Sequence, residues 1–264
     1  MSDPIQLLET QAATTRGTVE SVADAHFTKA LPGCPGWKVQ DAVAHLTTGA
    51  QMLKGYALDT ISGADWMEER AKRLAQNLAL TPADLKRRYA ETDTELVETF
   101  KSLSPQQLQA KRHHAVFVEV PVELFLGLRI AETAIHGWDI HSAFDAGARL
   151  QAPATAAVAA RMTTIFPTWF LADKIASLDR SYRFIVGQPV NDDRTLSIAD
   201  GKAFWGSDTT SPDATLTLDG GDFLLLISGR LSSEQLISSG RAQASGDLAT
   251  ANELSTLFKA FDGR

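Results

Sequence analysis

Within an otherwise apolar stretch, Val122 to Ala146 carries a carboxylate, an imidazole and a second carboxylate at helical spacing. Wound as a helix, it brings Phe125, Leu128, Glu132, His136, Asp139 and Ala143 within about 60° of one another, so three ionisable groups interrupt a stripe that should face inward. Burying them without partners costs on the order of several kcal/mol, so they require mutual pairing, water or a cation. Glu132 and His136, four residues apart, project side by side and can reach one ion. A carboxylate with an imidazole suits zinc or a similar divalent metal. His45 is the candidate third ligand, at the edge of the stripe Val39, Ala42, Val43, Leu46, Ala50 and Leu53. A His, Glu, His set leaves a coordination position open, the feature that separates catalytic from structural metals. Asp139, three residues after His136, is spaced to orient that imidazole through its other ring nitrogen. The same spacing also fits a solvated pair at Glu132 and His136 and a hydrogen-bonded packing role for His45.

Other reactive residue types offer less. His113 and His114 are adjacent, point different ways and follow Lys111 and Arg112, which reads as an exposed loop. His26 and His141 read as surface or packing residues. Cys34, the single cysteine, sits in a Pro/Gly turn and reads as structural; alone it excludes an internal disulfide framework, a thiolate zinc cluster and a CxxC pair.

The elements that must position these groups change character once. Up to about Pro167 the chain is rich in Ala, Leu, Glu and Gln at helical spacing. Helices are predicted from near Pro4 to Lys29, from about Val39, from 82 to 102 behind the Thr81-Pro82 cap, from Val122 to Ala146 behind Pro121, and from Pro153 towards Phe170. Short turns between long helices favour an antiparallel four-helix bundle. After about Ser181, short strands are predicted at Tyr182 to Val186, Arg194 to Ala199, Lys202 to Trp205 and Ala214 to Leu218, with Asp200-Gly201 as a hairpin turn. Helices follow Gly221-Asp222 and Gly246-Asp247, the last extending to Phe261. The expected class is α+β, with a helical bundle over 1–178 and a small α+β domain over 181–264.

The 264 residues suffice for two such domains, and 44% apolar with 22% charged residues is a globular composition. A formal charge of −7 without a basic block disfavours nucleic acid and anionic lipid as partners. No basic start leads into a signal-type apolar run, and the longest apolar run, Phe223 to Ile227, is too short to cross a bilayer, which suggests a cytoplasmic, non-membrane protein.

Two segments carry a resemblance. Pro35-Gly36-Trp37-Lys38-Val39-Gln40-Asp41-Ala42-Val43-Ala44-His45-Leu46 resembles the PGW-x-V-x-D-x-x-AHL signature of the mycothiol-dependent maleylpyruvate isomerase family, a branch of the DinB-like bundles. Glu132-Thr133-Ala134-Ile135-His136-Gly137-Trp138-Asp139-Ile140 is similar to its E-x-x-x-H-x-x-D-I segment. The resemblance implies a divalent metal, usually zinc, on His45, Glu132 and His136. Residues 181 to 264, with Leu224 to Arg230 and Ala244 to Asp247, resemble the family's sterol-carrier-like C-terminal domain. Relatives use a basic residue of that domain in activity; Arg230 is the positional candidate, with Arg241 as competitor.

The resemblance further implies mycothiol as thiol cosubstrate, held by the metal as thiolate below the free thiol pKa of roughly 8.5. That thiolate would attack a small electrophile, giving cis-trans isomerisation by addition, rotation and elimination, or S-transfer if the adduct persists or a leaving group departs. Two rivals remain: a metal-dependent hydrolase, and a non-enzymatic carrier of apolar ligands in which the bundle is structural. No motif specifies the electrophile or the oligomeric state.

Overall fold

The computed structural model describes residues 3–61, 65–114, 118–150, 153–206 and 211–260. The chain divides into two compact units, one of Met1–Ala148 with Ala152–Ala154, the other of Arg149–Gln151 with Thr155–Arg264. The division falls near 150, ahead of the change in sequence character at 178–181.

The first unit contains α1 (Pro4–Ser21), α2 (Val39–Ala57), α3 (Trp66–Leu78), α4 (Pro82–Ser102), the short α5 (Pro105–Gln109), a hairpin of β1 (Lys111–His114) and β2 (Val118–Pro121), and α6 (Val122–Ser142). α1 packs on α4 and α6, and α2 on the same two, which closes a ring of four helices. α3 lies against α2. Side chains start these helices where the backbone lacks partners: Asp3 accepts from the Ile5 amide, and Thr81 from the Asp84 amide with Pro82 at the first helical position. α1 stops at Ser21, short of Lys29, because Val22 is already extended and a 3-10 turn covers Asp24–His26. His113 and His114 lie on β1, paired with Glu119 and Val118, instead of in a loop.

The second unit contains α7 (Thr155–Ile165), α8 (Ala172–Ile175), β3 (Arg180–Val186), β4 (Asp192–Ala199), β5 (Lys202–Gly206), β6 (Ala214–Leu218), α9 (Gly220–Ile227), α10 (Ser233–Ser238), β7 (Ala242–Gly246) and α11 (Leu248–Glu253). α7, expected to reach Phe170 as part of the bundle, ends at Ile165 and packs on α9 instead. Phe166–Trp169 continues as a 3-10 turn containing Pro167. The sheet runs β5-β4-β3-β6-β7, with β3 and β6 parallel and the other pairs antiparallel. Asp200 and Gly201 both take positive φ, 51° and 68°, as a two-residue turn between twisted strands requires. α9 is buried at all eight positions. It starts on Asp219, which accepts from the Asp222 amide, while the buried Asp222 carboxylate takes Arg149 at 2.6 Å and Arg241 Nε at 3.0 Å. Asp247 caps α11, which ends at Glu253 before a 3-10 turn over Leu254–Thr256; the Phe261 end foreseen for it lies outside the described residues.

Rings fill the space beneath the sheet. Phe166 contacts Phe258 at 4.8 Å, Phe170 at 5.2 Å and Trp205 at 6.1 Å between centroids. Phe184 on β3 meets Trp205 at 6.0 Å and Phe223 on α9 at 5.5 Å. These tilted and edge-on arrangements are the ones that aromatic quadrupoles favour.

Candidate functional site

α2 and α6 place the ionisable residues that the sequence singled out. The turn at Leu31–Trp37 is closed by Leu31 and Trp37 main-chain bonds, and the Lys38 amide donates to Asp41 Oδ2 at 2.7 Å, so α2 begins at a fixed point and His45 falls on its inner face. α6 begins directly after Pro121, whose ring cannot extend the helix backwards. It brings Glu132, His136 and Asp139 opposite α2.

The structure brings His45, Glu132 and His136 together. His45 Nε2 lies 3.9 Å from Glu132 Oε1, and the two imidazole centroids are 4.9 Å apart at 66°. Asp139 Oδ2 stands 2.9 Å from His136 Nδ1, with both side chains fully buried. The Trp37 indole stacks on His136, 5.5 Å away and 8° from parallel, and also meets His45 at 5.3 Å. Among the described residues, His136 Nε2 and Glu132 Oε2 are buried atoms without a hydrogen-bond partner.

Residues that sequence reasoning passed over dominate the electrostatics. Arg129, with no exposed side-chain surface, places Nη1 3.6 Å from Glu132 Oε2. The same Nη1 donates to the Leu46 carbonyl at 2.9 Å, and Nη2 donates to Asp93 at 2.8 Å. Arg16 reaches the other Asp93 oxygen at 2.7 Å. Burial pushes the Arg129 guanidinium down, but Asp93, the Tyr89 phenol and Glu132 together outweigh it and hold the group above the ordinary arginine range. Gly49 makes room: a Cβ there would sit 3.2 Å from Arg129 Nη1 and 3.3 Å from Glu132 Oε2. The available signal was a basic residue three positions before Glu132 in an apolar helix, matched by an acid in the middle of α4.

The sequence profile of the mycothiol maleylpyruvate isomerase N-terminal domain family matches residues 8–141, more than half of the chain. The chain belongs to this family. The SCP-2 sterol transfer family matches residues 171–259, and the second unit has the corresponding α+β fold. Two crystal structures of a mycothiol-dependent maleylpyruvate isomerase, one of them of a histidine-to-alanine mutant, are 16% and 14% identical to the chain. Each aligns over 93% of both chains, with TM-scores of 0.64 and 0.66, a likeness of fold. Sterol Carrier Protein 2 from Yarrowia lipolytica, in its apo form, is 18% identical and aligns over 39% of this chain and 88% of its own at a TM-score of 0.30. No curated protein matches the chain.

Membership in the mycothiol maleylpyruvate isomerase N-terminal domain family does not bring the expected metal centre with it. Among the described residues, no group of three or more His, Cys, Asp or Glu side chains is arranged to hold a metal ion. Other groups already stand at these side chains: a guanidinium faces Glu132, a carboxylate holds Nδ1 of His136, and an indole covers its ring, while His136 Nε2 and Glu132 Oε2 keep no hydrogen-bond partner of their own among the described residues. The assignment of a divalent metal or zinc to His45, Glu132 and His136 is therefore corrected, and with it metal-activated mycothiol chemistry as S-transferase or isomerase. The metal-dependent hydrolase falls on the same ground. In the second unit, Arg230 is 4% exposed and its Nη1 donates to the Ser228 carbonyl at 3.2 Å, while Arg241 is bound to Asp222. No helix among the described residues is long and apolar enough to cross a membrane.

Proposed function

We propose that the protein is a carrier of apolar small molecules, its second unit taking up a sterol-like or fatty-acyl ligand between helices and sheet, with no catalytic metal. The observation that carries this reading is the SCP-2 sterol transfer family match over 171–259, on a unit whose helices meet one sheet face through an aromatic layer. Rings packed edge to face can part around an apolar ligand and re-form on its departure, since each contact is worth only about 0.5–1.5 kcal/mol beyond area burial. Apolar residues continue outward beside that layer: Ile165 is 40% exposed, and Trp169, Phe170 and Leu171 are half-buried. The ring of four helices then serves as a packed companion domain.

The test uses the full chain stripped of bound lipid by organic extraction and refolding-free washing on a hydrophobic resin. Titration with a fluorescent fatty acid and a fluorescent sterol should give saturable binding with energy transfer from Trp205 or Trp169. Native mass spectrometry should detect an apolar molecule on protein that has not been stripped. Absence of saturable binding for both probes, together with no apolar molecule on the untreated protein, overturns the proposal.

A further inference from the structure

A groove of about 590 Å³ opens in the first unit among α2, α3 and α4. Gln51, Lys54 and Gly55 line it from α2, at the spacing that keeps one helix face together, and Leu58 from the residue that ends that helix. Counted at 100° per residue, Lys54 points about 180° away from His45, so the groove lies on the other side of α2 from the His45, Glu132 and His136 cluster. Its volume is in the range of small-molecule sites, about 300–1,000 Å³.

The charges on its walls are unequally committed. Lys54 binds Glu95 at 2.8 Å, and Arg73 binds Glu69 at 2.6 Å. Glu91 has Arg87 at 3.9 Å. Arg88 is exposed and, alone of the three lining cations, enters no ion pair or side-chain hydrogen bond among the described residues. Gln51 accepts from Asn77 through Oε1 at 3.1 Å, which leaves its amide nitrogen to donate. One wall is apolar: Leu58 is 46% exposed, and Ile61 approaches Gly55 so closely that a Cβ there would lie 2.3 Å from Ile61 Cδ1.

We infer that this groove is a binding site for a small monocarboxylate with an apolar body, its carboxylate forked by Arg88 and its body laid against Leu58 and Ile61. A guanidinium presents paired donors that match a carboxylate, whereas the groove's other cations, Lys54 and Arg73, already hold carboxylates. The requirement for one anionic head follows from the single uncommitted cation; a second anionic group would meet Glu91 or Glu95. The site is separate from the carrier unit and does not depend on the proposed function.

Phenylacetate and its neutral isostere phenylacetamide are the probes, followed by amide chemical shifts of the full chain. Phenylacetate should give saturable shifts at Gly55, Ile61, Arg88 and Thr92, and phenylacetamide should not. Arg88→Gln should weaken binding at least tenfold, Arg88→Lys less, because it keeps the charge and loses the fork. Leu58→Ser should weaken it severalfold by removing the apolar wall; both positions are exposed, so the fold should be unaffected. Equal binding of acid and amide, full affinity in Arg88→Gln, shifts confined to residues 171–259, or no saturable shift at all overturns the inference.

Discussion

The two units solve the same problem, holding helices in register, with opposite chemistry. In the first, a chain of charge runs through the centre: Arg16 on α1 meets Asp93 on α4, Asp93 meets Arg129 on α6, and Arg129 reaches the Leu46 carbonyl on α2. One network therefore ties all four helices. In the second, the centre is a layer of rings, and the buried carboxylate of Asp222 stands in the first turn of α9, where two arginines and the helix N-terminus neutralise it. Ring contacts tolerate small changes of angle; a buried charge network does not, because each member lost strands another. The difference suits a rigid first unit and a second unit able to admit a guest.

That contrast is broken most directly at its strongest points. Arg129→Leu leaves Asp93 buried with one partner removed and should cost about 3–5 kcal/mol. Adding Asp93→Asn should recover a good part of the loss, since Arg16, whose side chain is 25% exposed, can turn to water. Phe184→Ala should cost a similar ~3–5 kcal/mol through the cavity it opens. No second substitution of a polar partner should rescue it. Hydrogen exchange read by peptide separates the two effects: faster exchange in α4 and α6 for the first, in β3 and α9 for the second. Rescue of neither variant, or of both, would remove the distinction drawn between the units.

A smaller effect sharpens the account of the histidine cluster. Asp139→Asn keeps the shape but loses the charge that orients His136, and should cost about 1.5–3 kcal/mol, the range for hydrogen bonds to charged groups. The loss should fall on α6 peptides alone. A change below a few tenths of a kcal/mol would show that stacking on Trp37, and not Asp139, fixes the ring.

How much of this was legible in the residues differs between the two units for a physical reason. Caps and turns act through neighbours in sequence, so Thr81-Pro82, Asp247 and the Asp200-Gly201 hairpin could be read directly, and the α+β class with them. The grouping of Glu132, His136 and Asp139 was legible because helical periodicity is local. Partners supplied from elsewhere in the chain were less so: Arg129 in an apolar helix asks for an acid without naming Asp93 on α4, nothing in α6 announces the stacking of Trp37 from the turn before α2, and it is these that turn a metal-like spacing into a packed polar cluster. The family likeness reinforced the metal reading because it carries residue types without their surroundings. α3 was passed over because Glu68, Glu69, Arg70, Lys72 and Arg73 crowd its first turns and only Trp66 and Asn77 are buried, so no run of apolar residues marks it as the other helices are marked. β7 was missed because Ala242–Gly246 has no β-branched residue, and pairing with β6 alone makes it a strand.

The smallest effects come from two buried tyrosines, one in each unit. Burial, and then Asp93, push the Tyr89 phenol far above its usual range; burial, and then Glu253, do the same to Tyr182. A phenol whose pKa is raised on folding stays protonated in the native chain after it ionises in the unfolded one. Its contribution is therefore complete below about pH 10, the ordinary tyrosine value, and is lost as pH rises beyond it. Tyr89→Phe and Tyr182→Phe should each flatten the fall in stability above that pH. At neutral pH they should part company. The Tyr89 hydroxyl is a buried group without a hydrogen-bond partner among the described residues, so its removal should be neutral or slightly stabilising. Tyr182 donates to Glu253 at 3.3 Å, so its removal should cost about 0.5–1.5 kcal/mol. Denaturant titrations at pH 7 and above pH 10 check both signs. A loss at Tyr89 equal to that at Tyr182 would mean that the first unit's charge network uses the phenol as a partner, bringing the two units' cores closer in kind than their geometry indicates.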